Sequence, residues 1–275
     1  MENTKSVKSL KKQLMAAIAM VMVAAIALGS STYAWFVTNN KVDATTSTIS
    51  AQSNAAFMTI ANGTSGAKDA DTTSVTTDVA TKPLYPATFG EETGSTKGSF
   101  MTGYGTSLED GTLKGSLKLV HNPDDADSTN DGKIATAVAA EYALQQDFNI
   151  SSKGQNLTAL SIEKIEDKAA QTSSLKMPLR VLVTNADGTT WEVYGKNAAG
   201  DAYERKLSSA DANAAVDFGT VTAGEDTVIH VYLYYEGGDT TAEASTSVTT
   251  KNLQDGTLTA TNAVTIFFTA TADNQ

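Results

Sequence analysis

The sequence predicts an all-β protein, a β-sandwich with one short helix and a loop-rich insertion, and three observations point that way. Tight-turn dipeptides recur along the chain, at Asn62-Gly63, Asp110-Gly111, Asp131-Gly132, Asp187-Gly188, Gly237-Gly238 and Asp255-Gly256. Their glycines supply the positive φ that such turns require. Between them lie short runs rich in Thr, Val, Ile and Tyr, residues that suit a pleated, half-buried surface. Two of these runs alternate cleanly. In the first, Ile229, Val231, Leu233 and Tyr235 share one face and His230, Tyr232 and Tyr234 the other; in the second, Val264, Ile266 and Phe268 alternate with Thr265, Phe267 and Thr269. A period of two with one apolar face is the pattern of a sandwich strand.

Composition bounds the function. With 275 residues and 41% hydrophobic residues, the chain is long enough to bury a sizeable core. The net charge of −11 leaves no basic face for displacing counterions from phosphates, so no nucleic-acid partner is expected. Cysteine is absent, which excludes a disulfide framework, a thiolate zinc site and a cysteine nucleophile.

The elements follow in chain order. Lys5, Lys8, Lys11 and Lys12 precede an uncharged apolar run from Leu14 to Leu28, and then come the small residues Gly29, Ser30, Ser31 and Thr32. Basic, apolar and small in that order is an export signal, with the cut expected after Ala34. The other reading is an uncleaved anchor, because no charge occurs from Gln13 through Asn40 and about 20 residues span a bilayer. Cleavage would remove four lysines and Glu2, leaving 16 basic and 30 acidic residues and a net charge of −14. The expected organisation is a leader over 1–34, an N-terminal strand segment over 35–54, and a sandwich over 55–275 with an insertion at about 63–115.

Candidate strands run from Val42 to Ala51, Ala55 to Ile60, Ser116 to His121, Asp147 to Ser152, Thr158 to Ile165, Leu179 to Thr184, Thr190 to Tyr194, Thr227 to Tyr235 and Ala263 to Ala270. A helix is expected over Lys133 to Gln146, "KIATAVAAEYALQQ", where Ile134, Val138 and Tyr142 form a stripe at helical spacing. A second, shorter helix is expected around Ser208 to Ala215, with Ser208 or Ser209 as N-cap. Gly63 to Gly115 is rich in Gly, Thr and Ser with few apolar anchors, and reads as a surface excursion or small β insertion. No repeat of fixed period is present, which argues against a solenoid or propeller.

The stretch "TYAWFVTNNKVDATTSTISAQ" resembles the signal-peptide exit and first mature strand of the TasA/camelysin family, exported Gram-positive biofilm-matrix proteins matured by a dedicated signal peptidase. In that family an aromatic pair, a short polar patch and an "A-T" strand follow the cleavage site. Trp35, Phe36, Val42, Ala44, Thr45 and Ile49 occupy those places here. "QDFNISSKGQNLTALSIEKI" is similar to the family's strand, turn and strand unit. Thr38 and Asn39 stand where the family often has an acidic residue.

The resemblance implies a jelly-roll sandwich, secretion to the cell surface, no enzymatic activity, and homopolymeric fibres in which one subunit's N-terminal strand completes the next subunit's sheet. It also implies a signal peptidase as partner, with membrane contact only through the N-terminal segment before cleavage. The physics of such assembly is β-augmentation, and a head-to-tail contact of this kind does not close into a ring. The donor strand would be Val42 to Ala51. Val42, Ala44, Thr46, Thr48 and Ser50 share one face and Asp43, Thr45, Ser47, Ile49 and Ala51 the other, with Trp35, Phe36, Val42 and Ile49 as anchors. The alternative is that this strand pairs within its own subunit as an edge strand. The competing function is a glycan- or wall-binding module that does not polymerise.

Chemical constellations are sparse. Asp127, Thr129 and Asp131 match the first, third and fifth places of a Ca²⁺ loop, but the twelfth place is Val138, which cannot ligate. A solvated acidic turn capping the following helix is the competing account, and calcium is the one cofactor candidate. His121 and His230 are the only histidines, and no zinc-protease motif is present. Trp191, Tyr194, Tyr232 and Tyr234 would form a sugar-stacking platform if their strands were neighbours. Cross-strand aromatic pairs also stabilise sheets without any ligand.

Overall fold

The computed structural model of the chain describes Met20 and residues 47–53, 57–79, 84–90, 96–102, 108–109, 112–113, 117–167, 178–211, 214–237 and 264–272. The chain divides into two units, Met1–Asp43 and Ala44–Gln275. Only Met20 of the first is described, so the expected leader, Trp35, Phe36, Val42, Ala44 and Thr46 lie outside the described residues. The second unit is the all-β sandwich that the alternation predicts.

Its strands are β1 (Ser47–Ser53), β2 (Met58–Asn62), β3 (Ser74–Val79), β4 (Thr88–Phe89), β5 (Phe100–Thr102), β6 (Leu108–Glu109), β7 (Thr112–Leu113), β8 (Lys118–Leu119), β9 (Leu144–Ser152), β10 (Leu157–Asp167), β11 (Leu179–Asn185), β12 (Trp191–Lys196), β13 (Tyr203–Ser208), β14 (Thr227–Tyr235) and β15 (Val264–Ala272). One α-helix is described, α1 (Ile134–Ala139). A four-stranded sheet runs β10-β15-β1-β3 and a six-stranded sheet runs β13-β12-β11-β14-β9-β2. Every strand pair in the two large sheets is antiparallel except β1 with β15, which is parallel.

The alternation places the core. Ile229, Val231, Leu233 and Tyr235 of β14 and Val264, Ile266 and Phe268 of β15 all join one cluster between the sheets, with Met58, Ile60, Phe148, Ile150, Val181 and Val183. The other face of β14 is buried as well. Tyr232 and Tyr234 belong to a second cluster with Phe89, Phe100, Val120, Ala137, Leu182, Trp191 and Val193. The six-stranded sheet is thus the middle of three layers, and β4, β5, β8 and α1 cover its outer side.

Three expectations are corrected. Of the two readings of 63–115, the surface excursion gives way to the β insertion: its described residues supply β3 to the four-stranded sheet, β4 and β5 to a small sheet with β8, and buried Leu84, Ala87, Phe89 and Phe100. The helix stops at Ala139, because Glu141 takes φ 63 and Leu144 already begins β9. There Leu144, Gln145 and Gln146 pair with Leu233, Tyr232 and Val231 of β14, so cross-strand partners override the helix propensity of the run. No helix forms among the described residues of Ser208–Ala215; Ser208 ends β13, and its hydroxyl donates to Ala210 O at 3.0 Å in a turn.

Candidate functional site

The strand segment that matters most in the sequence, Val42 to Ala51, is described from Ser47 onward as β1. It pairs within its own subunit, as the alternative reading had it, but as an inner strand rather than an edge strand. On one side Ile49, Ala51 and Ser53 pair with Val264, Ile266 and Phe268 of β15; on the other Thr48, Ser50 and Gln52 pair with Asp78, Thr76 and Ser74 of β3. Ala51 is fully buried at the crossing of these ladders. Its methyl suits the place, since a larger side chain would displace the close-packed core beneath it.

Within the four-stranded sheet, β1 alone holds β3. Take it away, and β15 and β3 face each other across a gap one strand wide, each presenting unpaired main-chain groups. β1 is also the first strand described, and only 54–57 connect it to β2 in the opposite sheet.

The two flanks of the sandwich are sealed differently. On the β2–β3 flank uncharged groups do the sealing: Ile60 N donates to Thr72 O at 2.9 Å, and the Thr72 side-chain Oγ1 donates back to Ile60 O at 2.8 Å. On the β10–β13 flank charged side chains do it. Lys196 on β12 is buried, its Nζ 2.6 Å from Asp167 Oδ2 on β10 and 4.1 Å from the centroid of the Tyr203 ring. Tyr203 donates its hydroxyl to the other Asp167 oxygen at 3.1 Å. Burial and the neighbouring Asp167 carboxylate push the Tyr203 phenol far up, so it stays a donor.

A cavity of about 280 Å³ opens beside this cluster, lined by Ser161, Ile162, Glu192, Tyr194, Arg205, Ala215 and Val216. Glu192 is buried in its wall. Tyr194 donates to Glu192 Oε2 at 3.1 Å, and Arg205 Nη1 donates to Oε1 at 3.1 Å and to Ala214 O at 2.7 Å. Burial raises the Glu192 carboxyl above its usual range, outweighing the help from Arg205 and Tyr194. A carboxylate, a guanidinium and a phenol around an apolar floor suit a small hydroxylated ligand. Sequence reasoning missed this cluster because Glu192 and Tyr194 on β12 and Arg205 on β13 share no motif.

The predicted aromatic platform does not form. Trp191, Tyr232 and Tyr234 are buried in the outer core, and Tyr194 projects from the opposite face of β12. Burial pushes the Tyr232 phenol up to about 12. Trp191 stacks edge-on against Phe89 at 4.9 Å and Tyr234 against Phe100 at 5.1 Å, so these rings pack with protein rather than stand ready for sugar.

The acidic turn is organised by its own backbone. Asp127 Oδ1 accepts from Thr129 N at 3.0 Å, Asp125 Oδ1 accepts from Asp127 N at 2.9 Å, and Asp131 Oδ1 lies 2.7 Å from His121 Nδ1. These contacts hold the Asp125 and Asp127 carboxyls below their usual range, first through bonds made within the turn itself. Asp127 caps the short 3₁₀ turn Ser128–Asn130, whereas Lys133 at the start of α1 makes no side-chain cap. Among the described residues no group of three or more His, Cys, Asp or Glu is placed to hold a metal. His230 Nδ1 meets Asp147 Oδ1 at 2.6 Å on the outer face of the middle sheet.

Comparison with protein-family models, with curated proteins and with solved structures finds no match for this chain.

Proposed function

We propose that this protein is an exported structural subunit of an extracellular or cell-surface fibre that assembles by exchange of its N-terminal strand, as its resemblance to the TasA/camelysin family implies. One observation carries the reading: β1 is the first described strand, is inner to its sheet, and would leave a strand-wide slot on withdrawal. The same segment of a second copy fits that slot with the same register, because the pairing groups are identical. In that reading the isolated subunit keeps its own strand in place, and assembly substitutes a neighbour's. Such a head-to-tail exchange propagates as a filament.

The test is electron microscopy and sedimentation of the leader-free protein over a range of concentrations. Wild type elongates, and a variant lacking 35–53 does not. A protein that stays a lone particle at every concentration would end this reading. N-terminal sequencing of the extracellular form checks the export step, with Trp35 as the expected first residue.

The second reading, a glycan- or wall-binding module that does not polymerise, draws its support from the cavity at Glu192, Tyr194 and Arg205. Calorimetric titration with simple sugars checks it: wild type should bind, and Tyr194→Phe should weaken binding by more than its loss of the Glu192 contact lowers the melting temperature.

A further inference from the structure

We infer that Lys196 and Asp167 condense with each other, their buried ion pair giving way to an amide that joins β12 of the middle sheet covalently to β10 of the four-stranded sheet. This does not rest on the strand-exchange reading. Of the lysine–carboxylate pairs among the described residues, Lys153 with Asp71, Lys164 with Glu166 and Lys206 with Glu204 keep more than half of the carboxylate side chain in solvent. In the remaining pair Lys196 is 2% exposed and Asp167 24%.

Both sheets wall the pair in. Lys196 stands opposite Tyr203 of β13 in one ladder, and Asp167 stands opposite the fully buried Val264 of β15 in the other. Lys196 Nζ lies 2.6 Å from Asp167 Oδ2 and 4.1 Å from the centroid of the Tyr203 ring, while the Tyr203 hydroxyl donates to Oδ1 at 3.1 Å. Both carboxylate oxygens are thus held, and the amine meets a fixed acyl carbon. Fixing the two groups makes the condensation effectively unimolecular, and burial of Nζ keeps away the water that would reverse it.

The step balances within the pair. An ammonium has no lone pair, so a proton first passes from Nζ to Oδ2, leaving two neutral groups whose burial costs less than that of two charges. The freed amine attacks Cγ, and negative charge gathers on Oδ1, where the Tyr203 hydroxyl receives it; burial keeps that phenol protonated. A second proton moves from Nζ to Oδ2, the Cγ–Oδ2 bond breaks, and one water leaves. The product closes residues 167–196 into a ring, which restricts the unfolded chain as a disulfide would in a protein that has no cysteine.

Intact-mass spectrometry of the denatured full chain tests this, followed by proteolysis and sequencing of the peptides. Wild type should weigh one water less than its sequence and yield a branched peptide that joins the segments holding Asp167 and Lys196. Lys196→Arg keeps the charge, but a guanidinium that stays protonated cannot attack, so this variant should show its full mass and melt at a lower temperature. Tyr203→Phe keeps the ring beside Nζ and removes the donor; followed in time after cell-free synthesis, it should form the cross-link at least tenfold more slowly than wild type. Wild type at its full sequence mass overturns the cross-link, however the variants fold. A water loss that persists in Lys196→Arg, or that maps to a succinimide at an Asp-Gly turn such as Asp187-Gly188, overturns it too. Tyr203→Phe that cross-links at the wild-type rate overturns the role of the phenol.

Discussion

The two faces of the middle sheet are buried in different ways. The inner face packs on the four-stranded sheet through mostly aliphatic side chains, among them Met58, Ile60, Ile150, Leu157, Leu160, Val181, Val231 and Ile266. The outer face is covered through aromatic ones: Phe89, Phe100, Trp191, Tyr232 and Tyr234. The elements behind them differ to match. β10, β14 and β15 are 11, 9 and 9 residues long, whereas β4, β5 and β8 have 2, 3 and 2 residues and α1 has 6. Elements that short make few backbone bonds of their own and are held by what they bury. The difference teaches that the outer layer depends on the sheet, while the sheet does not depend on the outer layer to the same degree.

Paired core truncations break or sharpen that contrast with the largest effect. Phe148→Ala in the inner core and Phe100→Ala in the outer one should each cost about 3–5 kcal/mol. Both rings are fully buried, so the transfer loss is similar. The expected distinction is in cooperativity. In a Trp35→Phe background Trp191 is the sole tryptophan and reports on the outer layer. Urea unfolding of Phe148→Ala should move Trp191 fluorescence and far-ultraviolet circular dichroism together. Phe100→Ala should move the fluorescence transition ahead of the dichroism. Coincident transitions in both variants would mean that the three layers unfold as one unit.

The same contrast explains what was legible in the sequence. β14 matches its expected span, Thr227 to Tyr235, because nine alternating residues with β-branched and aromatic side chains leave little room for another conformation. β10, β11 and β15 follow within two residues at each end for the same reason. The outer layer was legible only in part: β8 and α1 fall inside the expected strand Ser116 to His121 and helix Lys133 to Gln146, whereas β4 and β5 were not read. Phe89 and Phe100 are isolated apolar residues among Gly, Ser and Thr, and nothing local indicates that β14 and β12 supply the other half of their core. Alternation on β14 read as one apolar and one wet face, since Tyr and His sit comfortably at a surface; only the covering layer decides otherwise. β13 was missed because "YERKLS" carries three charged residues in a row, and its inward Arg205 is satisfied by Glu192, a partner distant in sequence. Thr48 and Ile49 were read correctly as strand, yet β1's inner position depends on β3, which comes from the segment read as a surface excursion or small β insertion.

A smaller change tests how well the outer core is satisfied. Tyr234 is fully buried, and its hydroxyl makes no hydrogen bond of good geometry, although the Phe89 backbone lies close enough to act on it. Burial drives its phenol well above the usual range, so it is neutral at every physiological pH. An unpaired buried hydroxyl is a standing penalty of roughly 1–3 kcal/mol. Tyr234→Phe keeps the edge-on contact with Phe100 and removes the penalty, so it should stabilise by about 1 kcal/mol in thermal denaturation. Destabilisation would show that the outer core holds its polar atoms as well as the inner one does.

The smallest effect concerns the inner face where it runs past the edge of the four-stranded sheet, at Glu192. The folded state raises this carboxyl above its unfolded value, chiefly by burial. Folded protein therefore binds a proton there more readily than unfolded protein does, and the stability associated with Glu192 falls as pH rises from the unfolded value through the raised one. Below that window the group is neutral in both states and the burial penalty is absent; above it the penalty is fully present, offset in part by Arg205 and Tyr194. Glu192→Gln removes the titration while keeping an acceptor oxygen for Arg205, with its amide NH2 able to donate to the Tyr194 hydroxyl instead. The stability difference between wild type and Glu192→Gln, read from urea midpoints at several pH values, should grow in favour of the glutamine variant across that window and level off above it. The carboxyls of Asp125 and Asp127 shift downward and so lose stabilisation only as pH falls, the opposite sense. Because they are common to both proteins, they cancel in the difference. A difference that stays flat with pH would mean that Arg205 compensates the buried charge completely, and that this flank is as settled electrostatically as the aliphatic core beside it.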